Sequence, residues 1–329
     1  MEAQQVEAEK IVLTAAQELG KERILHSSAI SVGRCLEAIG MGLPYVVFRF
    51  GPMLSGKTEG TIMDLHEFIE RGINVHVFKL NGDDRYVTSA GLVGSQSGLS
   101  IEASPVEDIT QISELIRTGV IRAGEVVGLV ELPFMCKQRA DLEEFIGLVQ
   151  EHKIILVADG LGFWFNTQPL EMVECMLEQA NQAFFLQSWN SFDPDAFAEA
   201  TLRCVQIARF NGQILIYDED AVFYRSLDLT SLHDLIESFL KSKFAREKLT
   251  FLQALTQAGY GKTILLPSHP VLDPLFAIGG PERYFPISLR DLIELYRMIG
   301  IDFAPVNPLE FASRFSSIYD WTELGLVLQ

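Results

Sequence analysis

The stretch Gly51-Pro-Met-Leu-Ser-Gly-Lys57-Thr58 constrains the fold most, because it fits the phosphate-binding pattern G-x-x-x-x-G-K-[ST]. The apolar run Tyr45–Phe50 before it predicts a buried strand, and the apolar spacing from Thr58 to Arg71 predicts a helix. Backbone N–H groups of such a loop, at the N-terminus of a helix, bind phosphate oxygens. We interpret the stretch as a nucleotide-binding loop; the alternative is a glycine turn that only joins strand to helix. Its residues are Gly51, Pro52, Met53, Leu54, Ser55, Gly56, Lys57 and Thr58.

Two side chains of this loop have specific roles in the pattern. Lys57 reaches the terminal phosphates of a nucleotide such as ATP, and the Thr58 hydroxyl ligates Mg²⁺. A second candidate, Gly261-Lys262-Thr263, has Thr256 where the first glycine of the pattern belongs, so we do not interpret it as a phosphate loop.

Composition limits the partners. A formal net charge of −18 argues against a nucleic-acid backbone or an anionic membrane as the principal partner, because both need a basic face. No run approaches the roughly 18 apolar residues of a membrane span, and the acidic Met1-Glu-Ala-Gln does not resemble a signal peptide. We therefore expect a cytoplasmic protein.

The four cysteines are far apart, and no two form a C-x-x-C pair. Neither a disulfide framework nor a zinc site can be inferred from this spacing, and a reducing interior suits it. The cysteines are Cys35, Cys136, Cys175 and Cys204.

Apolar strands alternate with helical patterns from Tyr45 to Ala158. This alternation predicts an α/β fold, a P-loop parallel sheet with helices on both faces. Further along, Asn211-Gly212 separates two apolar runs, which predicts a small two-residue hairpin. The chain after Leu232 has mostly helical patterns.

Four motifs follow the loop in a characteristic order. They are Asp83-Asp-Arg85-Tyr86, the segment Ser95–Ala103, Glu131 with Phe134 after a predicted strand, and Phe165-Asn-Thr-Gln-Pro169 after another. Together they resemble the type II thymidine kinases, P-loop enzymes that phosphorylate the 5′-hydroxyl of thymidine with ATP and Mg²⁺. The family loop reads GPM-x-SGK-[ST], so Pro52, Met53 and Ser55 match beyond the general pattern.

The resemblance covers roughly residues 45–227 and implies three regions. We predict a helical N-terminal extension at 1–44, a thymidine-kinase-like P-loop domain with a hairpin and lasso-like subdomain at 45–228, and a mostly helical C-terminal extension at 229–329. The amphipathic stretch Ser288–Met298 suits packing on the core, on a partner or on a second copy, which leaves a homo-oligomer open.

The resemblance also implies catalytic roles. Glu131 matches the general base that takes the proton of the attacking hydroxyl; the alternative is a solvated glutamate at a strand end. Arg85 matches a stabiliser of phosphate charge, and Asp83 would hold Arg85 or, with Thr58, the metal. A loop salt bridge between Asp83 and Arg85 is the alternative.

Three side chains match residues that contact the nucleoside in the family. They are Met53 in the loop, Phe134 and Phe165. For each of them, packing in a hydrophobic core is the alternative reading.

The sequence departs from the family at several positions. Val130 replaces the Walker-B aspartate, and an apolar side chain cannot ligate magnesium. Pro133 replaces the glutamine of the family motif. The two C-x-x-C pairs of the family's zinc lasso are missing around Gln187–Phe192 and Tyr224–Leu227, so we expect no zinc site.

These observations favour an ATP-dependent nucleoside kinase that acts on a thymidine-like substrate during the supply of precursors for DNA synthesis. The alternative is a nucleotide-binding or interaction protein of the same lineage whose catalysis has degraded. A P-loop hydrolase without nucleoside specificity is a third hypothesis. The intact loop and Glu131 favour the enzyme, whereas Val130 and the altered lasso favour the second hypothesis.

Overall fold

A computed structural model gives the fold of the protein. It describes residues 24, 27–81, 91–95, 97–164, 167–190, 197–210, 213–216, 225–227, 263–267, 282–298 and 306–314. These residues form two compact units. The described residues of 24–164, 169–188 and 308–314 belong to the first unit, and those of 167–168 and 189–307 belong to the second.

The described helices and strands alternate through the first half of the chain, as the sequence predicts. They are α1 (27–41), β1 (Tyr45–Gly51), α2 (Lys57–Glu70), β2 (Val75–Leu80), β3 (Leu92–Gly94), β4 (Ser100–Glu102), β5 (Ser104–Val106), α3 (Ile109–Arg117), β6 (Val126–Leu129), α4 (Leu132–Met135), α5 (Arg139–Glu151), β7 (Ile155–Leu161), α6 (Glu171–Gln179), β8 (Gln182–Phe185), β9 (Ser188–Trp189), β10 (Phe197–Ala198), β11 (Ala200–Phe210), β12 (Gln213–Ile216), β13 (Arg225–Leu227), β14 (Thr263–Pro267), β15 (Glu282–Ile287), α7 (Leu289–Met298) and α8 (Pro308–Ser313). No helix among the described residues has the length and apolar character needed to cross a lipid bilayer.

Six described strands of the first unit form a parallel sheet in the order β5-β2-β6-β7-β1-β8. Every residue of β6 is buried, and so are residues 155–160 of β7, which requires cover on both faces of the sheet. Helix α2 packs against β1, β6 and β7. The predicted P-loop α/β fold is therefore confirmed.

Parallel strands place their carboxyl ends at one edge of a sheet, and this edge holds the predicted site. β7 lies between β6 and β1, with Phe50 paired to Gly160 and Leu129 paired to Ala158. The residues that follow β6 and β7 therefore meet beside the loop that follows β1.

Helix α1 is part of the core of the first unit. Val32, Cys35 and Ala38 on α1 pack in the same apolar cluster as Ile62 and Leu65 on α2. The sequence predicts helix at Val32–Ala38, and the structure extends it to 27–41. The helix predicted at Glu7–Leu19 lies outside the described residues.

A buried ion pair joins α1, β1 and α2. Arg49 on β1 and Asp64 on α2 are fully buried, and their Nη2 and Oδ2 atoms lie 2.7 Å apart. The Ser31 hydroxyl of α1 donates to Asp64 Oδ2 at 2.5 Å and accepts from Arg49 Nη2 at 2.9 Å. The three elements are thus joined by a charge-assisted hydrogen-bond network.

The second unit contains an antiparallel sheet around β11. β11 and β12 pair with Phe210 opposite Gln213, so the two-residue hairpin predicted between them is confirmed. β14 and β15 also pair with β11, and the sequence analysis did not predict them as strands. Their partner lies more than 50 residues earlier in the chain, a distance over which a local pattern gives no signal. The predicted region boundaries at residues 44 and 228 stay predictions.

Candidate functional site

The loop between β1 and α2 requires glycine at two positions. Gly51 has φ 152°, and a Cβ there would lie 2.0 Å from the carbonyl oxygen of Leu186. Gly56 has φ 81°, and a Cβ there would lie 2.3 Å from Cδ1 of Ile24. Any other residue at either position would clash with a neighbour and strain the backbone.

Hydrogen bonds hold the loop in shape. Lys57 is buried at the first position of α2, and its Nζ donates to the Pro52 carbonyl at 2.7 Å and to Ser55 Oγ at 3.4 Å. The Ser188 hydroxyl donates to the carbonyl of Leu54 at 3.0 Å. Leu54 itself has φ 61°, a conformation that non-glycine residues rarely adopt and that clusters at ligand sites. The loop is therefore preformed.

Glu131 follows β6, which is separated from β1 by β7, and its backbone has an unusual conformation. It precedes α4 with φ 58°, and its backbone N–H donates to Asp159 Oδ1 at 2.9 Å. Asp159 is fully buried near the end of β7. The sequence analysis did not single out Asp159, because its proximity to Glu131 arises from the pairing of β6 with β7 and leaves no local pattern.

The Asp159 carboxylate interacts electrostatically with Glu131 and with Lys57, and we call these three residues the Asp159 cluster. Burial and, to a smaller extent, the neighbouring Glu131 carboxylate raise the pKa of Asp159 to about 6. The backbone N–H of Glu131 and the positive charge of Lys57 act in the opposite direction. A second carboxylate and one ammonium group therefore act on Asp159 at the carboxyl edge of the sheet.

The departure at Pro133 fits tightly into this site. A Cβ on Gly160 would lie 2.2 Å from Cδ of Pro133, so the proline ring packs directly on the backbone of β7. A proline in the first turn of α4 also loses no helical hydrogen bond. Pro133 and Gly160 thus fix the position of α4, and with it that of Glu131.

The departure at Val130 places a side chain in the hydrophobic core rather than at the site. Its side chain is 4% exposed and belongs to the apolar cluster that contains Ile62, Leu65 and Val157. The position of the family's Walker-B aspartate therefore contributes to the hydrophobic core.

Two aromatic rings lie exposed after β6 and β7. Phe134 is 41% exposed and Trp164 is 45% exposed. Their ring centroids are 6.4 Å apart and their planes differ by 71°, which is an edge-to-face arrangement. Phe134 was expected to contact a nucleoside, whereas Trp164 was not singled out. Met53, the other expected contact among the described residues, is half-buried in the loop.

Three predicted site residues, Asp83, Arg85 and Phe165, lie outside the described residues, so their roles stay predictions. Thr58, the other predicted metal ligand, is half-buried at the second position of α2. Within the described part of the chain, no three or more His, Cys, Asp or Glu side chains are grouped as a metal site. The expected lack of a zinc site stays a prediction.

Comparisons with known proteins point to one family. The family model described as thymidine kinase matches residues 45–191. A thymidine kinase of Listeria monocytogenes serotype 4b (strain F2365) is 30% identical over 135 residues, which are 41% of this chain and 68% of the relative. A thymidine kinase of Lactiplantibacillus plantarum is 31% identical over 135 residues, with the same coverage of 41% and 68%. The matched region includes the loop, Glu131 and Asp159.

Proposed function

The chain belongs to the thymidine kinase family, and on that premise we propose that it transfers the γ-phosphate of ATP to the 5′-hydroxyl of a thymidine-like nucleoside. The observation that carries the proposal is the arrangement of Glu131 beside a preformed phosphate loop. Strand pairing places the Glu131 backbone against Asp159, and the charge of Lys57 acts on the same cluster. A base and a phosphate-binding lysine at one strand edge are the parts that phosphoryl transfer needs.

In this proposal the loop positions the nucleotide. Backbone N–H groups at the start of α2 bind the phosphates, and Lys57 contacts their terminal oxygens. The Thr58 hydroxyl would hold Mg²⁺, and the ion, when bound, would neutralise negative charge on the nucleotide phosphates. Because the loop is already held by Lys57 and Ser188, binding requires little reorganisation of the backbone.

Glu131 acts as the general base. Its carboxylate accepts the proton of the nucleoside 5′-hydroxyl as the oxygen attacks the γ-phosphorus, and the bond between the γ-phosphorus and the β,γ-bridging oxygen breaks, so that ADP leaves. The hydrogen bond to Asp159 holds its backbone in the left-handed conformation that directs the side chain. Phe134 and Trp164 offer exposed ring surface against which a flat base can stack. The proposal places this activity in the cytoplasm, where ATP and nucleosides meet.

The second candidate is a nucleotide-binding or interaction protein that has lost efficient catalysis. It is favoured by Val130, because an apolar core residue occupies the position of the family's metal-directed aspartate. The two candidates share the nucleotide site and differ in turnover.

A turnover assay with Mg²⁺ and ATP across thymidine, deoxyuridine, deoxycytidine and deoxyguanosine separates the candidates. We expect phosphorylation of a pyrimidine deoxynucleoside. ATP binding without phosphorylation of any nucleoside would favour the second candidate, and release of phosphate without nucleoside would favour a hydrolase.

Lys57→Ala tests the nucleotide site itself. Loss of a charge-assisted contact to phosphate should weaken ATP binding on the order of 10²-fold, measured by calorimetry on folded protein. Lys262→Ala is the matched control, because Lys262 belongs to the incomplete motif and its loss should leave ATP affinity unchanged. Unchanged ATP affinity in folded Lys57→Ala protein would exclude the loop as the site.

A further inference from the structure

The first unit holds a buried carboxylate whose negative charge has no role in the mechanism proposed so far. Asp159 is fully buried, and its Oδ1 accepts the hydrogen bond from Glu131. Its second oxygen, Oδ2, has no hydrogen bond of ordinary geometry among the described residues, although the Thr61 hydroxyl is close enough to lower the pKa of Asp159. An unsatisfied carboxylate oxygen in a protein interior is unfavourable unless a ligand or ion satisfies it.

The position of Asp159 links it to the start of α2. The Lys57 charge acts on it, and so does the hydroxyl of Thr61, one turn further along the helix. Thr58, the predicted hydroxyl ligand of magnesium, lies between these two positions in the same turn. Asp159 therefore belongs to the environment in which a metal ion on bound phosphates would lie.

The charge of the cluster has the sign that a cation needs. Asp159 interacts with a second carboxylate, that of Glu131, and with one ammonium group, that of Lys57. Carboxylate oxygens are preferred ligands of Mg²⁺, whereas Val130 offers only methyl groups to the hydrophobic core.

We propose that Asp159, at the end of β7, supplies the magnesium-directed carboxylate that the chain lacks at position 130. The function of the Walker-B aspartate has moved from the strand end after β6 to the adjacent strand. This inference rests on the proposed nucleotide site. Glu131 then keeps its own role, since its carboxylate is left to take the proton of the substrate while Asp159 interacts with the metal.

The test is how much Mg²⁺ strengthens ATP binding, measured by calorimetry with Mg²⁺ or with EDTA. In the wild-type protein we expect Mg²⁺ to raise ATP affinity on the order of 10-fold or more. Asp159→Asn keeps an oxygen acceptor for the Glu131 N–H but removes the negative charge. This variant should lose most of the gain in ATP affinity that Mg²⁺ causes, which we call the Mg²⁺ increment. Its ATP affinity in EDTA should stay the same or rise. Asp159→Ser is a second variant that also keeps an acceptor. Melting curves verify that each variant is folded.

Glu131→Gln is the matched control, because it removes the other negative charge of the same cluster. It should retain the Mg²⁺ increment. An equal loss of the increment in Asp159→Asn and Glu131→Gln would show a general effect of charge and overturn the assignment to Asp159. A full increment in Asp159→Asn would also overturn it. So would a wild-type protein in which Mg²⁺ does not change ATP affinity, even if neither variant folds.

The outcome is independent of kinase activity. If Asp159→Asn loses the increment while the wild-type protein phosphorylates no nucleoside, the metal site stands and the kinase function fails. If the protein phosphorylates nucleosides while Asp159→Asn retains the increment, the kinase function stands and this inference fails.

Discussion

Two clusters of charged side chains contain residues of helix α2, and they differ in the balance of negative and positive charge. In the first, Arg49 and Asp64 form a one-to-one ion pair at 2.7 Å, and Ser31 bonds to both. In the second, Asp159 interacts with the carboxylate of Glu131 and with the ammonium group of Lys57, so negative charge exceeds positive charge. The first cluster joins three elements within the protein, whereas the second lies where strands end and a loop begins.

The comparison shows how the same fold uses buried charge in two ways. Arg49 and Asp159 occupy paired positions on neighbouring strands, so each cluster starts from the same level of the sheet. The pair with a matched partner stabilises the fold. Each cluster contains a buried carboxylate oxygen without a hydrogen-bond partner among the described residues, Asp64 Oδ1 in the first and Asp159 Oδ2 in the second, but only the second lies at the carboxyl edge of the sheet, where ligands bind in α/β folds. Substitutions in the first cluster should change stability, and those in the second should change chemistry.

The largest effect is expected from Glu131→Gln. The variant keeps side-chain shape and the backbone hydrogen bond to Asp159 but cannot accept the substrate proton. Nucleoside phosphorylation should fall on the order of 10²–10⁴-fold, the usual contribution of a general base, while ATP affinity is retained. Steady-state kinetics and calorimetry on one preparation measure both quantities. A variant as active as the wild type would leave the kinase without its proposed base.

Arg49→Met should act on stability instead. It leaves the buried Asp64 carboxylate without its ion-pair partner, and breaking such a pair lowers the free energy of unfolding by about 3–5 kcal/mol. Denaturation in urea measures the change. At temperatures where the variant is folded, its ATP affinity should equal that of the wild type.

The double variant Arg49→Met/Asp64→Leu is the control for this prediction. Replacing both charges with apolar side chains removes the unpaired carboxylate, so most of the lost stability should return. If the double variant is as unstable as Arg49→Met, the pair is not the source of the effect. If Arg49→Met instead abolishes ATP binding in folded protein, the proposed division between the two clusters is wrong.

The sequence predicts the fold better than the site. The loop, its flanking strand and helix, and the alternation that follows are local patterns, and the structure confirms them. Asp159 could not be predicted in this way, because its contact with Glu131 joins positions 28 residues apart through strand pairing. Arg49 and Ser31 were missed for the same reason, since their partner Asp64 becomes close only when α1 and α2 pack on β1.

The smallest effect is expected from the exposed aromatic pair. The sequence points to Phe165, which lies outside the described residues, and its chain neighbour Trp164 packs edge-to-face with Phe134, at 6.4 Å between centroids. Stacking of a base on an aromatic ring contributes about 1–3 kcal/mol. Trp164→Ala should therefore raise the KM for the nucleoside by about 5-fold to 10-fold, near the lower end of that range, because Phe134 remains. The kcat and the KM for ATP should change little.

Two variants determine whether stacking is the cause. Trp164→Phe keeps a ring at the same position and should restore most of the lost affinity. Met41→Ala removes another exposed apolar side chain, 65% exposed at the end of α1 that precedes β1, and should leave the KM unchanged. Since β1 runs from that end of the sheet towards the loop, Met41 lies away from the carboxyl edge. An equal rise of KM for ATP and nucleoside in Trp164→Ala would mean that the ring supports the whole edge of the sheet, and an unchanged KM would remove Trp164 from the nucleoside site.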